Sequence, residues 1–398
     1  MAAAPQAAPA SEAVLKRTLA SSMRAAGPSS GAWVRNATDG RTLLRWRAGV
    51  PRVLASNVKI FTTSAALDRF GADGTFQTAV LARGDVDEAG VLRGDLYLRG
   101  GGDPAFGSAS FVRRNYGFGA TVEQLAQAVS AAGVQRVTGR VVGDESRFDS
   151  LRGGPDSGYR ASVWVGPLSA LGFNRGLARE GGSSFQLNPP AFAAARLDEA
   201  LSGLGVDVRG SPRAGAAPAN AELLASVESP SMARLAQITN TRSDNYFAEI
   251  LVKNLGRDAN GSGTTSSGTR AAESFARRLR ARPRLVDGSG LSRANVASPR
   301  HVGTVLDRLQ SRPEFDSFYR SLPVAGRTGT LADRMRRGAA RGRCHAKTGT
   351  IIGVSALSGY CESRGGDTYV FSILMNGVNI YGARTLQDRM ARAMAAER

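Results

Sequence analysis

Ser56 and Lys59 stand three residues apart in Leu54-Ala55-Ser56-Asn57-Val58-Lys59-Ile60-Phe61. A hydroxyl becomes a nucleophile when a base takes its proton, and a lysine is that base when burial or nearby cations stabilise its neutral form. The pair has the residue types for covalent catalysis by an activated serine. Composition singles out the lysine independently. Of 52 Lys plus Arg, four are Lys (Lys16, Lys59, Lys253, Lys347), which leaves 48 Arg. Arginine keeps its proton in a protein, whereas a desolvated lysine gives it up. A lysine retained against that bias is a candidate for proton chemistry.

Two further clusters carry chemistry. In Thr241-Arg242-Ser243-Asp244-Asn245-Tyr246, Ser243 offers a second hydroxyl and Asn245 an amide, although Ser-Asp-Asn alone reads first as a helix cap. His345-Ala346-Lys347-Thr348-Gly349-Thr350 contains another of the four lysines. On a strand, Thr348 and Thr350 share one face and Lys347 takes the other.

These residues need elements to hold them. Val58, Phe61 and Ala65 follow helical spacing with no Gly or Pro before Gly71, so a buried helix sets Ser56 and Lys59 on one face. Helices are expected over 11–26, 121–132, 191–204, 231–239, 247–255, 269–282, 299–310 and 383–396. A hairpin over 32–36 and 43–46 turns at Asp39-Gly40. Strands are expected at 76–81, 94–99 and 140–144, and antiparallel strands dominate 343–376. Gly100-Gly101-Gly102-Asp103-Pro104 lacks a phosphate-binding pattern and reads as a tight turn. Residues 152–158 and 211–219, rich in Gly and Pro, read as loops, and the chain turns more helical from Leu223. Helix, long insertion, helices, then sheet predicts an α/β domain interrupted by an insert.

The 398 residues, 42% of them apolar, suffice for two or three cores. No run of about 18 apolar residues offers a membrane span, and Met1-Ala2-Ala3-Ala4-Pro5-Gln6 does not open a signal peptide. The net charge of +19 invites a nucleic-acid reading, yet the arginines are scattered and no nucleic-acid module or aromatic basic stripe is present. The charge suits a solvated basic surface or an anionic cell-envelope polymer. Cys344 and Cys361 each lie eight or nine residues from a turn near Ile352-Gly353, which sets them opposite one another on paired strands. A cross-strand disulfide and an oxidising, extracytoplasmic compartment follow, the alternative being two buried free thiols.

Ser-x-x-Lys, Ser-Asp-Asn and Lys-Thr-Gly in this order are the motif set of penicillin-binding proteins and class A β-lactamases. The chain resembles the low-molecular-mass class C penicillin-binding proteins, the D-alanyl-D-alanine carboxypeptidase/endopeptidase (peptidase S13) family. The likeness extends through Gly94-Asp95-Leu96-Tyr97-Leu98, Gly102-Asp103-Pro104, Val286-Asp287-Gly288-Ser289-Gly290-Leu291-Ser292, Leu322-Pro323-Val324-Ala325-Gly326 and Gly329-Thr330-Leu331. It implies a transpeptidase/β-lactamase-like domain, an antiparallel five-stranded sheet flanked by helices, with a large insert after the Ser-x-x-Lys helix. The 184 residues between Lys59 and Ser243 (243 − 59) accommodate one. The expected limits are 1–70 with 223–398 for the catalytic domain and 71–222 for the insert.

The resemblance also implies roles. Ser56, Lys59, Ser243 and Lys347 are catalytic: Ser56 attacks the D-Ala-D-Ala peptide bond, Lys59 takes its proton, and Ser243 and Lys347 tune Lys59 and pass the proton to the leaving amine. Asn245, Thr348, Gly349 and Thr350 bind substrate, with the amides of Ser56 and Thr350 as oxyanion hole. No cofactor or metal is implied. The partners are peptidoglycan stem peptides ending in D-Ala-D-Ala and β-lactams as covalent inhibitors, and the location is periplasmic, wall-associated or secreted. No carboxylate in the motifs is an evident deacylating base. His345 reads as a satisfied strand histidine, Lys253 as one half of a surface ion pair with Glu249, and Asp156, Tyr159 and Trp164 as a candidate pocket for a charged stem-peptide residue. The rival readings are a β-lactamase or esterase-type hydrolase, a non-catalytic wall-binding module, and a basic polyanion-binding protein.

Overall fold

The structure, a computed structural model, describes residues 9–398. In chain order, α1 (Pro9–Ala25) leads into β1 (Ser30–Asn36), β2 (Thr42–Trp46), β3 (Arg52–Val53) and α2 (Val58–Phe70). Next come β4 (Gln77–Ala82), β5 (Val91–Leu92), β6 (Leu96–Arg99), α3 (Ala109–Tyr116), α4 (Val122–Ala131), β7 (Arg136–Asp144), α5 (Pro189–Ser202), β8 (Asp207–Ala214) and β9 (Glu222–Glu228). The chain continues through α6 (Met232–Thr241), α7 (Asn245–Asn260), α8 (Thr265–Arg278), β10 (Val296–Ala297), α9 (Pro299–Leu309) and α10 (Phe315–Ser321). It closes with β11 (Cys344–Ile351), β12 (Val354–Glu362), β13 (Thr368–Asn376) and α11 (Ile380–Ala396).

These elements form two compact units, one of residues up to Ala72 with 236–248 and 269–398, the other of 73–235 with 249–268. The second unit runs past the expected limit of 222 because β9 pairs with β4 along Gln77↔Glu228 to Ala82↔Glu222. It takes in 249–268 because Lys253 bonds Asp149 and the Asn254 amide donates to the Gly102 carbonyl.

The first unit is built on an antiparallel sheet in the order β11-β12-β13-β1-β2. β12 and β13 are buried along nearly their whole length, because helices cover both faces of the sheet. On one face Val34, Phe371, Ile373 and Leu357 pack with Leu15, Leu19, Met390 and Met394 of α1 and α11. On the other, α9 lies so close that a Cβ on Gly303 would stand 2.1 Å from the Trp33 ring, a contact only glycine permits. Val58 to Leu67 of α2 are all buried, as expected of a helix enclosed on every side. β11 is left at the sheet edge.

Cys344 and Cys361 face each other in the β11–β12 register and are joined by a disulfide. The turn falls at Ile352-Gly353, as the sequence predicts.

The second unit carries a mixed sheet, β5-β7-β6-β4-β9 with β8 added beside β7, and α4 and α5 contribute Leu125, Val129, Leu197 and Leu201 to its core. Two expectations fail here. The supposed loop over 211–219 begins as β8, whose Pro212 is tolerated because an edge strand need not donate every amide. The helical texture expected from Leu223 sets in only at α6, since residues up to Glu228 form β9, held by its pairing to β4. α3 and α10, each about two turns long, had too few periodic residues to be seen.

Candidate active site

The α2 helix is preceded by a single tight turn, Ala55–Asn57, in which Ala55 adopts φ of 45°. Such a left-handed conformation is costly without glycine, and surrounding structure must enforce it. Here that structure is Gly290: a Cβ on it would lie 2.0 Å from the Ala55 carbonyl oxygen. The turn presents Ser56 half-buried while Lys59, one turn on, is wholly buried. Lys59 Nζ lies 3.0 Å from Ser56 Oγ, 2.7 Å from Asn245 Oδ1 and 2.6 Å from the Ser289 carbonyl oxygen.

Ser243 ends the turn into α7, again with a positive φ, 57°. Its Oγ accepts from Lys347 Nζ at 2.9 Å, and Nζ also donates to the Thr348 carbonyl at 2.9 Å. Lys347 has no exposed surface. Burial first, and then the charge of Lys59, hold its amine well below the ordinary lysine range. The edge strand is drawn onto the start of α2 by Asn57, whose Nδ2 donates to the Lys347 carbonyl at 3.1 Å. Gly349 permits the approach: a Cβ there would stand 3.1 Å from the Ser56 amide nitrogen and 2.8 Å from the Leu54 carbonyl oxygen.

Three sequence motifs separated by up to about 290 residues thus converge on one pair of hydroxyls and one pair of amines. The family model described as the D-Ala-D-Ala carboxypeptidase 3 (S13) family matches residues 12–179 and 176–397. The chain belongs to this family. It is a serine-type D-alanyl-D-alanine carboxypeptidase of the penicillin-binding class, and the resemblance drawn from the motifs holds.

Among relatives, a D-alanyl-D-alanine carboxypeptidase of Actinomadura sp. (strain R39) is 31% identical over 93% of this chain and 81% of its own length. A carboxypeptidase of Mycobacterium tuberculosis is 29% identical over 94% of this chain and 82% of its own. The crystal structure of penicillin binding protein 4 from Haemophilus influenzae superposes with a TM-score of 0.79 at 20% identity, covering 94% of this chain and 97% of that one. That likeness establishes the fold.

Within this S13 site, the threonines behave as their strand parity predicts, pointing away from Lys347. Thr348 Oγ1 lies 2.7 Å from Thr330 Oγ1, and Thr350, at the exposed end, accepts from Arg384 at 3.3 Å. Thr330 lay inside a stretch that carried the resemblance, whereas Arg384 had no signal, being one of 48 arginines.

Asp287 is the other residue without an assigned role. Its carboxylate accepts from the Gly290 amide at 2.7 Å, the Ser292 amide at 2.8 Å and Asn295 Nδ2 at 2.8 Å. These bonds fix the loop whose Ser289 carbonyl holds Lys59. Burial raises the Asp287 pKa, opposed by those three donors and by the charge of Lys59. Asn245, expected on substrate, has its amide oxygen on Lys59.

The remaining candidates make other contacts. His345 stacks on Tyr319 at 4.2 Å between ring centroids, and burial is the main cause that lowers its pKa. Lys253 is not on the surface: it is 1% exposed, and its partner is Asp149 at 2.5 Å. Local spacing suggested Glu249, but both residues are buried in the second unit. Trp164 is 68% exposed and borders a hollow with Arg175, Leu177 and Phe185, and neither Asp156 nor Tyr159 lines it.

Proposed function

We propose that Ser56 is the nucleophile and Lys59 its base, in a unit that carries the whole catalytic set. The support is the geometry around Lys59 Nζ, with the Ser56 hydroxyl within hydrogen-bond distance of a wholly buried amine. A neutral amine has two N–H groups and one lone pair. The Asn245 oxygen and the Ser289 carbonyl each accept from Nζ, and the Ser56 hydroxyl lies 3.0 Å away, within reach for proton transfer to the amine once it is neutral. An ammonium would instead spend its third hydrogen on Ser56 and could not accept its proton. Repulsion between the two buried amines, which with burial lowers the Lys347 pKa, disfavours both being charged at once.

In this reading Ser56 Oγ attacks the carbonyl between the two terminal D-alanines, and the amides of Ser56 and Thr350 receive the negative charge. Lys59 passes the proton through Ser243 to the departing D-alanine nitrogen, with Lys347 holding the Ser243 hydroxyl. Thr348 and Thr350 bind the substrate carboxylate, and the Arg384 guanidinium beside Thr350 adds positive charge there. Water then cleaves the acyl-enzyme. A β-lactam enters the same first step and stalls before the second. A crystal structure of the H. influenzae protein holds such a compound.

Cleavage of crosslinked peptides is a second activity of the same site. It is suggested by the fold shared with a peptidoglycan endopeptidase of Bdellovibrio bacteriovorus at a TM-score of 0.55. The disulfide supports an extracytoplasmic location.

The test is mass spectrometry after penicillin treatment together with D-alanine release from a soluble pentapeptide. The expected results are one adduct on Ser56, no adduct in Ser56→Ala, and D-alanine release lost with it. Prompt turnover of the penicillin would turn the reading toward a β-lactamase, and an adduct that persists in Ser56→Ala would refute it.

A further inference from the structure

The first unit has a second charged site that the carboxypeptidase reading does not use. Between Leu331 and Cys344 the sequence reads Ala332-Asp333-Arg334-Met335-Arg336-Arg337-Gly338-Ala339-Ala340-Arg341-Gly342-Arg343. Met335 sits at φ of 56°, yet its side chain is buried in the sheet core with Leu331 and Ala340. That anchor fixes the segment, whose Arg336, Arg337 and Arg341 are exposed. With α11 the segment encloses a hollow of about 740 Å³ lined by Arg334, Arg336, Arg337, Arg341 and Arg392 against Asp333 and Asp388. The size falls in the range of roughly 300–1,000 Å³ usual for ligand sites.

Five arginines against two aspartates give the lining a formal charge of +3. The aspartates do not cancel it evenly. Asp388 is taken by Arg334, whose Nε and Nη2 both bond its Oδ1, at 3.0 and 2.6 Å. Asp333 lies 3.9 Å from Arg336 with both side chains largely in water, a pair of little energetic weight. Arg337, Arg341 and Arg392 are exposed and have no ion-pair partner among the described residues. Three guanidinium groups lining one hollow, none of them paired with a carboxylate among the described residues, form a site for several anionic oxygens at once. No aromatic residue lines it, so it lacks the stacking platform that single-stranded nucleic acid requires.

We propose that this hollow binds a phosphodiester polymer of the cell envelope, holding the enzyme near its wall substrate. The polymer source rests on the extracytoplasmic location proposed above. The binding itself does not depend on the catalytic assignment, and the two are read separately.

The probe is a synthetic, fluorescently labelled glycerol phosphate hexamer followed by anisotropy over a salt series, with D-alanine release from a soluble pentapeptide measured in parallel. Three guanidinium contacts give log K against log salt a slope of about −2. The R337Q/R341Q/R392Q variant is expected to bind at least about tenfold more weakly while releasing D-alanine at the wild-type rate. The R83Q/R160Q/R209Q variant removes the same charge from exposed positions elsewhere and is expected to keep its affinity. Equal loss in both variants would reduce the effect to diffuse charge and overturn the proposal. So would equal affinity for hexaglutamate, or tighter binding of a thymidylate hexamer. Loss of D-alanine release with hexamer binding intact would count against the catalytic reading alone.

Discussion

Lys347 and Lys253 are equally buried, one in each unit, and they teach that burial alone does not make a lysine reactive. Lys253 meets the Asp149 carboxylate at 2.5 Å, so its charge is matched where it lies. Lys347 donates to a hydroxyl and a carbonyl, and its electrostatic neighbour is another amine, Lys59. Desolvation with a matching anion yields a structural ion pair, whereas desolvation beside a like charge destabilises the ammonium and leaves an amine able to handle protons. Composition marked both lysines as unusual, and the company each keeps separates them.

The largest expected effects follow from removing the unmatched amines. Lys59→Met removes the base and is expected to lower the rate of Ser56 acylation by about 10²–10⁴-fold, the usual span for a positioned general base. Lys347→Met should cost a similar factor, because Ser243 loses the donor that orients it. Its fold should survive, since the substitution also removes a buried amine that resists protonation. Stopped-flow acylation by a chromogenic penicillin, paired with thermal melting, checks both. A Lys347→Met protein that acylates normally would break the contrast with Lys253.

Asp103 sharpens the comparison from the acidic side. It is 2% exposed in the second unit, with Oδ1 accepting from the Ala105 amide at 2.8 Å and Oδ2 without a hydrogen-bond partner among the described residues. Burial is the main cause that raises its pKa, to about 7. Between about pH 4 and pH 7 the unfolded chain therefore releases a proton that the folded chain keeps, and stability falls as pH rises through that window. The full cost above it is on the order of 4 kcal/mol. Asp103→Asn removes the titration, so its melting temperature should gain on the wild type from pH 4 to about pH 7 and the gain should level off above that. A constant difference across that range would show that Asp103 ionises as readily folded as unfolded.

What could be read in the sequence was whatever depends on near neighbours or on residue type. The Ser56–Lys59 pair follows from helical spacing, and the Cys344–Cys361 disulfide from counting back from one turn. The pairing of Lys347 with Ser243 needed the resemblance, because no local rule joins residues 104 apart. Thr330 lies in a stretch that carries the resemblance but has no assigned role there, and Arg384 is one arginine among 48, so no local rule places either at the site. β8 departs from the loop that its Pro, Gly and Ala suggest, and β9 from the helical texture expected from Leu223, because strand pairing within a sheet outweighs such weak preferences. Lys253 was misjudged for the same reason: a glutamate four residues away is the natural local partner, but the fold buries both and supplies Asp149 from 104 positions earlier.

That error suggests the most direct way to break the contrast between the two lysines. Lys253→Met leaves the Asp149 carboxylate without its cation in the second unit, while the replacement side chain still fills the space. Removing one partner of a fully buried pair costs about 3–5 kcal/mol. The side chain of Asp149 is 21% exposed, so water recovers part of that and a loss of about 2 kcal/mol is expected. In denaturant titration this appears as a lower midpoint with an unchanged slope. Acylation of Ser56 by penicillin should stay at the wild-type rate, since Lys253 bonds only residues of the second unit in the interactions described. Asp149→Asn in the Lys253→Met background should then restore most of the stability, because no uncompensated charge remains. If the double variant is no more stable than Lys253→Met, the ion pair is not what holds Lys253, and the distinction between matched and unmatched amines loses its structural half.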